Sequence, residues 1–350
     1  MPIHILLTHI TFAIVLMVVS FLITWIMCHK ISIIDQINER SSHRKIVPRA
    51  GGISIVITFF IGMMAIYFLG DSTHIKKGYM QGFIFSSLLI AAISFYDDIK
   101  NKSAIFKFIS QLLAVLIVLW SGIVLDKMDL PILGTVDLEW GGYLLSLLWI
   151  LGLTNAYNFM DGLDGLIGGV TVIAGLYFMG ITYYQGSHFV YISSYTLVAG
   201  AAGFLILNMP PAKVFMGDVG SVFIGFTFAT LAIIASRYDS AHTSFLVVPL
   251  LLFNIIYDVI FTMVRRLLNG ENITQAHNKH LYQLMNQIGY THLEVTLTHY
   301  CMAFLQGLGA LWMLQITTAN RLYVFIPFIL LQLIYTILIM LEAKKIRLLA

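Results

Sequence analysis

The sequence predicts an all-α polytopic membrane protein of about eleven transmembrane helices, folded as one integral-membrane domain over residues 1–350. Three observations carry that reading. Hydrophobic residues make up 59% of the chain and charged residues only 11%. Soluble globular chains carry about 25% charged residues, so a soluble enzyme or scaffold is excluded. The apolar residues also fall into runs near the roughly 20 residues that cross a bilayer as a helix. Finally, the basic residues segregate between alternate loops, as the positive-inside rule requires.

The runs follow in order. Residues 5–28 form the first, with no basic segment before them and basic residues after them, which is not the pattern of a signal peptide. Further runs cover 52–70, 79–96, 105–125, 141–157, 165–184, 188–207, 219–236, 244–264, 294–316 and 322–341. With the N-terminus extracytoplasmic and the C-terminus cytoplasmic, 15 of the 20 Lys and Arg residues fall inside and 5 outside. The inner set includes Arg40, Arg44, Lys45, Arg49, Lys107, Arg265, Arg266 and Arg347. The net charge of +3 is too small to imply nucleic-acid binding. The two cysteines, Cys28 and Cys301, form neither a disulfide framework nor a metal set.

Six carboxylates fall within these spans or at their inner ends: Asp97, Asp98, Asp161, Asp164, Asp218 and Asp258. Intramembrane ionisable groups are costly and mark function by default. They come from four distant stretches yet project to one face, which is what a single active site needs.

Each stretch has a bland reading beside the chemical one. In SFYDDIKNKS, the neighbours Asp97 and Asp98 suit Mg²⁺, which takes oxygen ligands together with substrate phosphates; a solvated helix end is the alternative. Lys107 either faces phosphate or snorkels to the interface. In TNAYNFMDGLDGL, Asp161 and Asp164 stand three apart, one helical turn, and so do Asn155 and Asn158. Four polar side chains in an apolar segment are hard to explain as packing. In NMPPAKVFMGDVGS, Asn208 and Asp218 accompany Gly217 and Gly220, whose backbone can turn tightly toward a phosphate or metal; the P-loop pattern is missing. In MVRRLLNGENITQAHNKHLYQLM, Arg265, His277 and His280 suit a diphosphate. The HxxH spacing also fits zinc, but no Cys or HExxH accompanies it. In SSHRKIVPRAGG, His43, Arg44 and Arg49 either bind phosphate, a task for which Arg has the geometry, or merely set topology.

Taken together and in this order, SSHRKIVPRAGG, FYDDIKN, NAYNFMDGLDGL, VFMGDVGS and AHNKHLY resemble the polyprenyl-phosphate N-acetylhexosamine-1-phosphate transferases, glycosyltransferase family 4. The motifs span about two thirds of the chain. The spaced His277 and His280 differ from the consecutive histidines of the phospho-N-acetylmuramoyl-pentapeptide transferases, and the resemblance leans to the O-antigen-initiating branch. It implies a Mg²⁺-dependent reaction (with Mn²⁺ as a substitute) at the bacterial inner membrane. Undecaprenyl phosphate and a UDP-N-acetylhexosamine such as UDP-GlcNAc, UDP-FucNAc or UDP-QuiNAc would give undecaprenyl-diphosphate-sugar and UMP. By the same resemblance Asp218 is the first metal ligand, Asp98 assists it, and Asp97 deprotonates or orients the lipid phosphate. Asn155, Asn158, Asp161, Asp164 and Asn208 would hold nucleotide or diphosphate. His277, His280, Arg265, Lys107 and Arg49 would contact substrate. A two-step route through an aspartyl nucleophile and a homodimeric state are left open. Two other readings compete: transfer of the peptidoglycan precursor, and an ion-coupled transporter, which would place carboxylates nearer the midplane and often shows internal repeats.

Overall fold

The computed structural model describes residues 3–30, 47–69, 75–131, 133–272, 275, 277–346 and 348. His43, and the charges Arg40, Arg44, Lys45 and Arg347, lie outside the described residues.

The helices follow the apolar runs. They are α1 (Ile3–Lys30), α2 (Ile53–Leu69), α3 (Lys77–Lys100), α4 (Ala104–Trp120), α5 (Glu139–Met160), α6 (Leu166–Gln185), α7 (His188–Asn208) and α8 (Asp218–Arg237). After these come α9 (Val247–Leu251), α10 (Phe253–Leu268), α11 (Leu281–Gln287), α12 (His292–Met313) and α13 (Phe325–Lys345), with a 3₁₀ turn at Thr318–Val324. Among the described residues, six helical stretches are long and apolar enough to cross a membrane, and α2 and α4 are shorter apolar helices.

Burial separates the centre from the rim. Helix α8 is enclosed almost throughout, packed between α3 and α5. On one side α6 packs on α7 and α12, and α1 lies outside α7. Most of α1 and α13 turns apolar side chains outward, including Leu22, Trp25, Ile334 and Leu338. Apolar faces of that extent, on helices long enough to cross a bilayer, suit a lipid environment.

Local chemistry fixes the ends that matter. Asn101 ends α3 in the left-handed region (φ 47°), and Ser103 caps α4 by accepting the Phe106 N–H at 3.3 Å. Gly217, at φ 74°, turns the chain into α8.

The structure departs from the sequence expectation in three places. The run 244–264 is two helices, broken at Leu252. There the buried Gln306 of α12, with its amide oriented to suit its neighbours, donates to Leu251 O (3.2 Å) and accepts from Asn254 N (3.0 Å). A side chain thus replaces the helical partners lost at the break, the condition for irregular backbone at membrane depth. Second, the chain is not purely helical. Strands β1 (Lys127–Leu130) and β2 (Gly134–Asp137) form an antiparallel hairpin, with Lys127 opposite Asp137. Third, Asp161 and Asp164 do not share a helical face: α5 ends at Met160 and both lie in the turn before α6.

The topology sets two ends. Helix α3 runs to Asp97 and Asp98, α4 returns from Lys107, the hairpin follows, and α5 comes back to Asn158. The carboxylates and the hairpin therefore occupy opposite ends of the bundle.

Candidate active site

The site is assembled by one backbone junction. The segment after Val47 lies alongside the chain entering α8: Phe215 N donates to Pro48 O (2.8 Å), Gly51 N to Phe215 O (2.9 Å) and Gly52 N to Met216 O (2.9 Å). The approach requires glycine, because a Cβ on Gly52 would stand 2.4 Å from Gly220 Cα. This junction lays Arg49 across the start of α8.

Three carboxylates and two cations then interlock. Arg49 Nε is 3.0 Å from Asp98 Oδ1, and its terminal nitrogen is 2.9 Å from Asp218 Oδ1. Lys107 Nζ is 2.6 Å from Asp218 Oδ2 and 2.7 Å from Asp97 Oδ2. Asn158 donates to Asp218 Oδ1 (3.2 Å) and to Ser221 Oγ (3.1 Å). All three Asp residues are buried.

Their environments differ. Asp98 accepts the backbone N–H groups of Asp218 (3.0 Å) and Val219 (2.9 Å). Together with Arg49, these donors engage both its oxygens, and it seals the N-terminus of α8. Asp97 Oδ1 takes the Lys102 N–H (2.7 Å), whereas its Oδ2 has the Lys107 contact but no hydrogen bond of good geometry. That oxygen and Asp218 Oδ2 converge on one ammonium. The five side chains sum to one negative charge, and the donors are hard oxygens, a set that fits Mg²⁺. Among the described residues no three His, Cys, Asp or Glu side chains form a closed metal cage; Mg²⁺ needs only one or two carboxylates beside phosphate and water.

A second cluster lies on the neighbouring side of the end of α5. His280 shares a 3.1 Å hydrogen bond through Nδ1 with Asp258 Oδ1. Asp258 also accepts the N–H groups of Leu281 (3.0 Å) and Tyr282 (3.1 Å) and the Thr262 hydroxyl (3.1 Å). The His280 ring stacks on Phe159 and lies 4.8 Å from the His277 ring. His277 Nδ1 accepts the Lys279 N–H (3.2 Å), which leaves Nε2 as the protonated nitrogen of the neutral ring. Burial, the neighbouring His280 and Arg266 push the His277 pKa down to about 4. Lys279 and Arg266, both hydrogen-bonded to Glu271, hold that carboxyl below the usual range. Tyr282 donates to Phe159 O (3.0 Å) and ties this loop to α5.

Of the residues singled out from sequence, the structure brings Arg49, Asp97, Asp98, Lys107, Asn158 and Asp218 into one cluster, and His277 and His280 into the adjoining one. Asn155, Asn208, Asp164 and Arg265 bind other partners. Asn155 donates to Gln111 Oε1 (2.7 Å) on α4. Asn208 bridges Gly165 N (3.1 Å) and Val214 O (2.9 Å), bracing two loops. Asp164 accepts the Ala212 N–H (3.1 Å) and lies 3.3 Å from His292. Asp161 is half-buried at the end of α5. Arg265 packs over Phe261 and donates to Lys279 O, so it supports the histidine loop. The residue that sequence reasoning counted among the carboxylates but left without a place in the site is Asp258. Its signal was present: a lone carboxylate within an apolar run, one residue type away from silence.

Comparison with known proteins points to one family. The profile of glycosyl transferase family 4 matches residues 80–236. The chain is 33% identical over 311 residues to a probable undecaprenyl-phosphate N-acetylglucosaminyl 1-phosphate transferase of Bacillus subtilis (strain 168), covering 87% of this chain and 84% of that protein. It is 28% identical over 303 residues to a decaprenyl-phosphate N-acetylglucosaminephosphotransferase of Mycobacterium tuberculosis (strain CDC 1551 / Oshkosh), covering 78% and 73%. A phospho-N-acetylmuramoyl-pentapeptide-transferase of Listeria monocytogenes (serotype 4b) is 43% identical, but over 102 residues only, 29% of this chain and 32% of that protein. With the motif order, the interlocked carboxylates and a relative matched over most of both lengths, the chain belongs to glycosyl transferase family 4, the polyprenyl-phosphate N-acetylhexosamine-1-phosphate transferases.

Proposed function

We propose that the protein transfers N-acetylhexosamine-1-phosphate from a UDP-sugar, UDP-GlcNAc foremost, to undecaprenyl phosphate. The observation that carries this reading is the cluster of Asp97, Asp98 and Asp218 clamped by Arg49 and Lys107 at one end of a membrane bundle. A lipid-borne phosphate and a soluble diphosphate can meet there. GlcNAc is favoured because relatives carrying that sugar in their names match over about four fifths of the chain, whereas the pentapeptide-transferase match covers 29%. The product would begin a cell-envelope polysaccharide, an O-antigen being one such case. The bundle would cross the bacterial inner membrane eleven times, with the N-terminus outside and the site facing the cytoplasm, as the charge distribution favours.

In the reaction an oxygen of the lipid phosphate attacks the sugar-bearing phosphorus. A new P–O bond forms, the bond to the uridylyl phosphate breaks, and UMP leaves with the electron pair. A phosphate monoester has its second pKa near 6, so near neutral pH it is already largely a dianion. Orientation of the nucleophile therefore matters more than its deprotonation. Asp218 and Asp97, whose Oδ2 atoms converge on the Lys107 ammonium, would hold Mg²⁺ or Mn²⁺. Bound there, the cation would neutralise diphosphate oxygens as charge builds on the leaving group. The sequence expectation gave the second metal place to Asp98; its saturation by two amides and Arg49 supports a bracing role instead. Lys107 and Arg49 supply cationic contacts for phosphate oxygens. Asn158 holds Asp218, and His277 and His280 line the side from which sugar or diphosphate would approach.

The test is UMP release by purified protein with undecaprenyl phosphate, Mg²⁺ and a panel of UDP-GlcNAc, UDP-FucNAc, UDP-QuiNAc and UDP-MurNAc-pentapeptide. Release with UDP-GlcNAc that disappears in Asp218→Asn supports the reading. Folded protein that releases no UMP from any donor overturns it and brings the transporter reading forward.

A further inference from the structure

The end of the bundle opposite the carboxylates holds a second polar pocket that the transfer reaction does not use. It lies between the hairpin, the end of α8, the stretch before α9 and the 3₁₀ turn, and encloses about 200 Å³. That is smaller than the pockets of drug-sized ligands and suited to a headgroup. Among its lining residues are Lys127, Asp129, Arg237, Thr243 and Arg321.

Two of its polar atoms have no partner among the described residues. Arg321 Nε and Thr243 Oγ1 are both shut off from solvent without a hydrogen bond. Buried donors in that state are rare and costly, and each calls for an explanation. The charges point to the kind of ligand that would satisfy them. Lys127 is neutralised by Asp137 at 2.8 Å and Arg237 by Asp126 at 2.7 Å. Arg321 has no ion pair among the described residues. Asp129 takes the Thr135 hydroxyl (2.6 Å) and, among the described residues, no cation. The pocket therefore presents one unmatched cation and one unmatched anion. Around the same end, Trp120 is 91% exposed, Trp140 84% and Leu133 71%. Exposed tryptophans at a bundle end mark the membrane–water interface.

We infer that this pocket binds the phosphoethanolamine headgroup of a bilayer phospholipid. The phosphate oxygens accept from Arg321 and Thr243, and the ammonium lies toward Asp129. Arg321 suits the phosphate because its fork of donors matches two oxygens at once. The acyl chains stay in the bilayer beside the aromatic rim.

The experiment uses the full chain in nanodiscs holding phosphatidylethanolamine, phosphatidylglycerol and phosphatidylcholine in equal parts. Native mass spectrometry after release counts the retained lipid. One phosphatidylethanolamine per chain is expected. Arg321→Gln should lower its occupancy about tenfold, as the loss of one charge-assisted contact implies. Thr243→Val should lower it less, and Asp129→Asn should shift retention from phosphatidylethanolamine to phosphatidylglycerol. If Arg321→Gln does not fold, as judged by thermal unfolding, the other two variants decide. Wild-type protein preferring phosphatidylglycerol or phosphatidylcholine would overturn the inference. So would folded variants that retain phosphatidylethanolamine like the wild type, or displacement of the lipid by inorganic phosphate, which would mark a free-anion site.

Discussion

Lys107 touches two carboxylates, and its replacement by Met leaves both without their common cation. Losing one preorganised charge contact to a reacting phosphate costs about a hundredfold or more in rate. We therefore expect Lys107→Met to lower kcat/KM by roughly that factor in the UMP assay. Asp258 acts at one remove, through His280. If it only orients the ring, Asp258→Asn and His280→Ala should each lower kcat, and the double variant should be little worse than His280→Ala. Additive losses would separate the two roles. His277 gives a pH prediction. Its folded pKa of about 4 lies below the ordinary 6.5, so on acidification the unfolded chain takes up the proton first. The stability tied to the neutral ring is whole above about 6.5 and is lost as pH falls toward 4. Thermal unfolding across that window should flatten in His277→Gln. At this scale the sequence showed which side chains were out of place in an apolar chain, and six of them meet. It could not show that Asn208 and Asp164 bind backbone atoms of distant loops, because a side chain's residue type does not name its partner.

Elements carry the site through close backbone approach. Gly217 sits at φ 74°, and a Cβ there would lie 2.7 Å from Asp98 Oδ2. Gly217→Ala should thus strain the turn and push Asp98 off the α8 amides together, abolishing UMP release while the bundle still inserts. Fractionation with an activity assay checks both. The break between α9 and α10 makes a different prediction. Gln306→Leu strips Leu251 O and Asn254 N of their partners, at a cost of about 1–3 kcal/mol for each unsatisfied group. Thermal unfolding in detergent should show the loss. Hydropathy found every long helix because burial in lipid needs only apolar length. It missed the Leu252 break, whose cause lies on α12, and the hairpin, whose strands of four residues are too short to show a period against the apolar runs around them.

The whole molecule has two chemically distinct ends, and the orientation is open to direct measurement. With Cys28 and Cys301 replaced, Leu133→Cys on the hairpin should react with a membrane-impermeant maleimide on intact cells, and Asn278→Cys only after lysis. The reverse pattern would invert the proposed topology. Charge asymmetry between loops is the sequence's argument for this orientation, whereas the docking of the ends depends on contacts between distant segments. The junction that lays Arg49 over α8 has a consequence for biosynthesis. The Phe215 amide and the Phe215 and Met216 carbonyls that fix the Arg49 segment are made about 165 residues after it. At about 5–20 residues per second, translation leaves Arg49 waiting for roughly 8–30 seconds before α8 emerges, and Asp98, 120 residues ahead of Asp218, for roughly 6–24 seconds. During that interval the early helices hold Arg49, Asp97, Asp98 and Lys107 at the membrane surface without Asp218 and the α8 amides that later join them. The nascent chain is then most exposed to wrong pairing, and a pause in translation between α3 and α8 would lengthen that exposure.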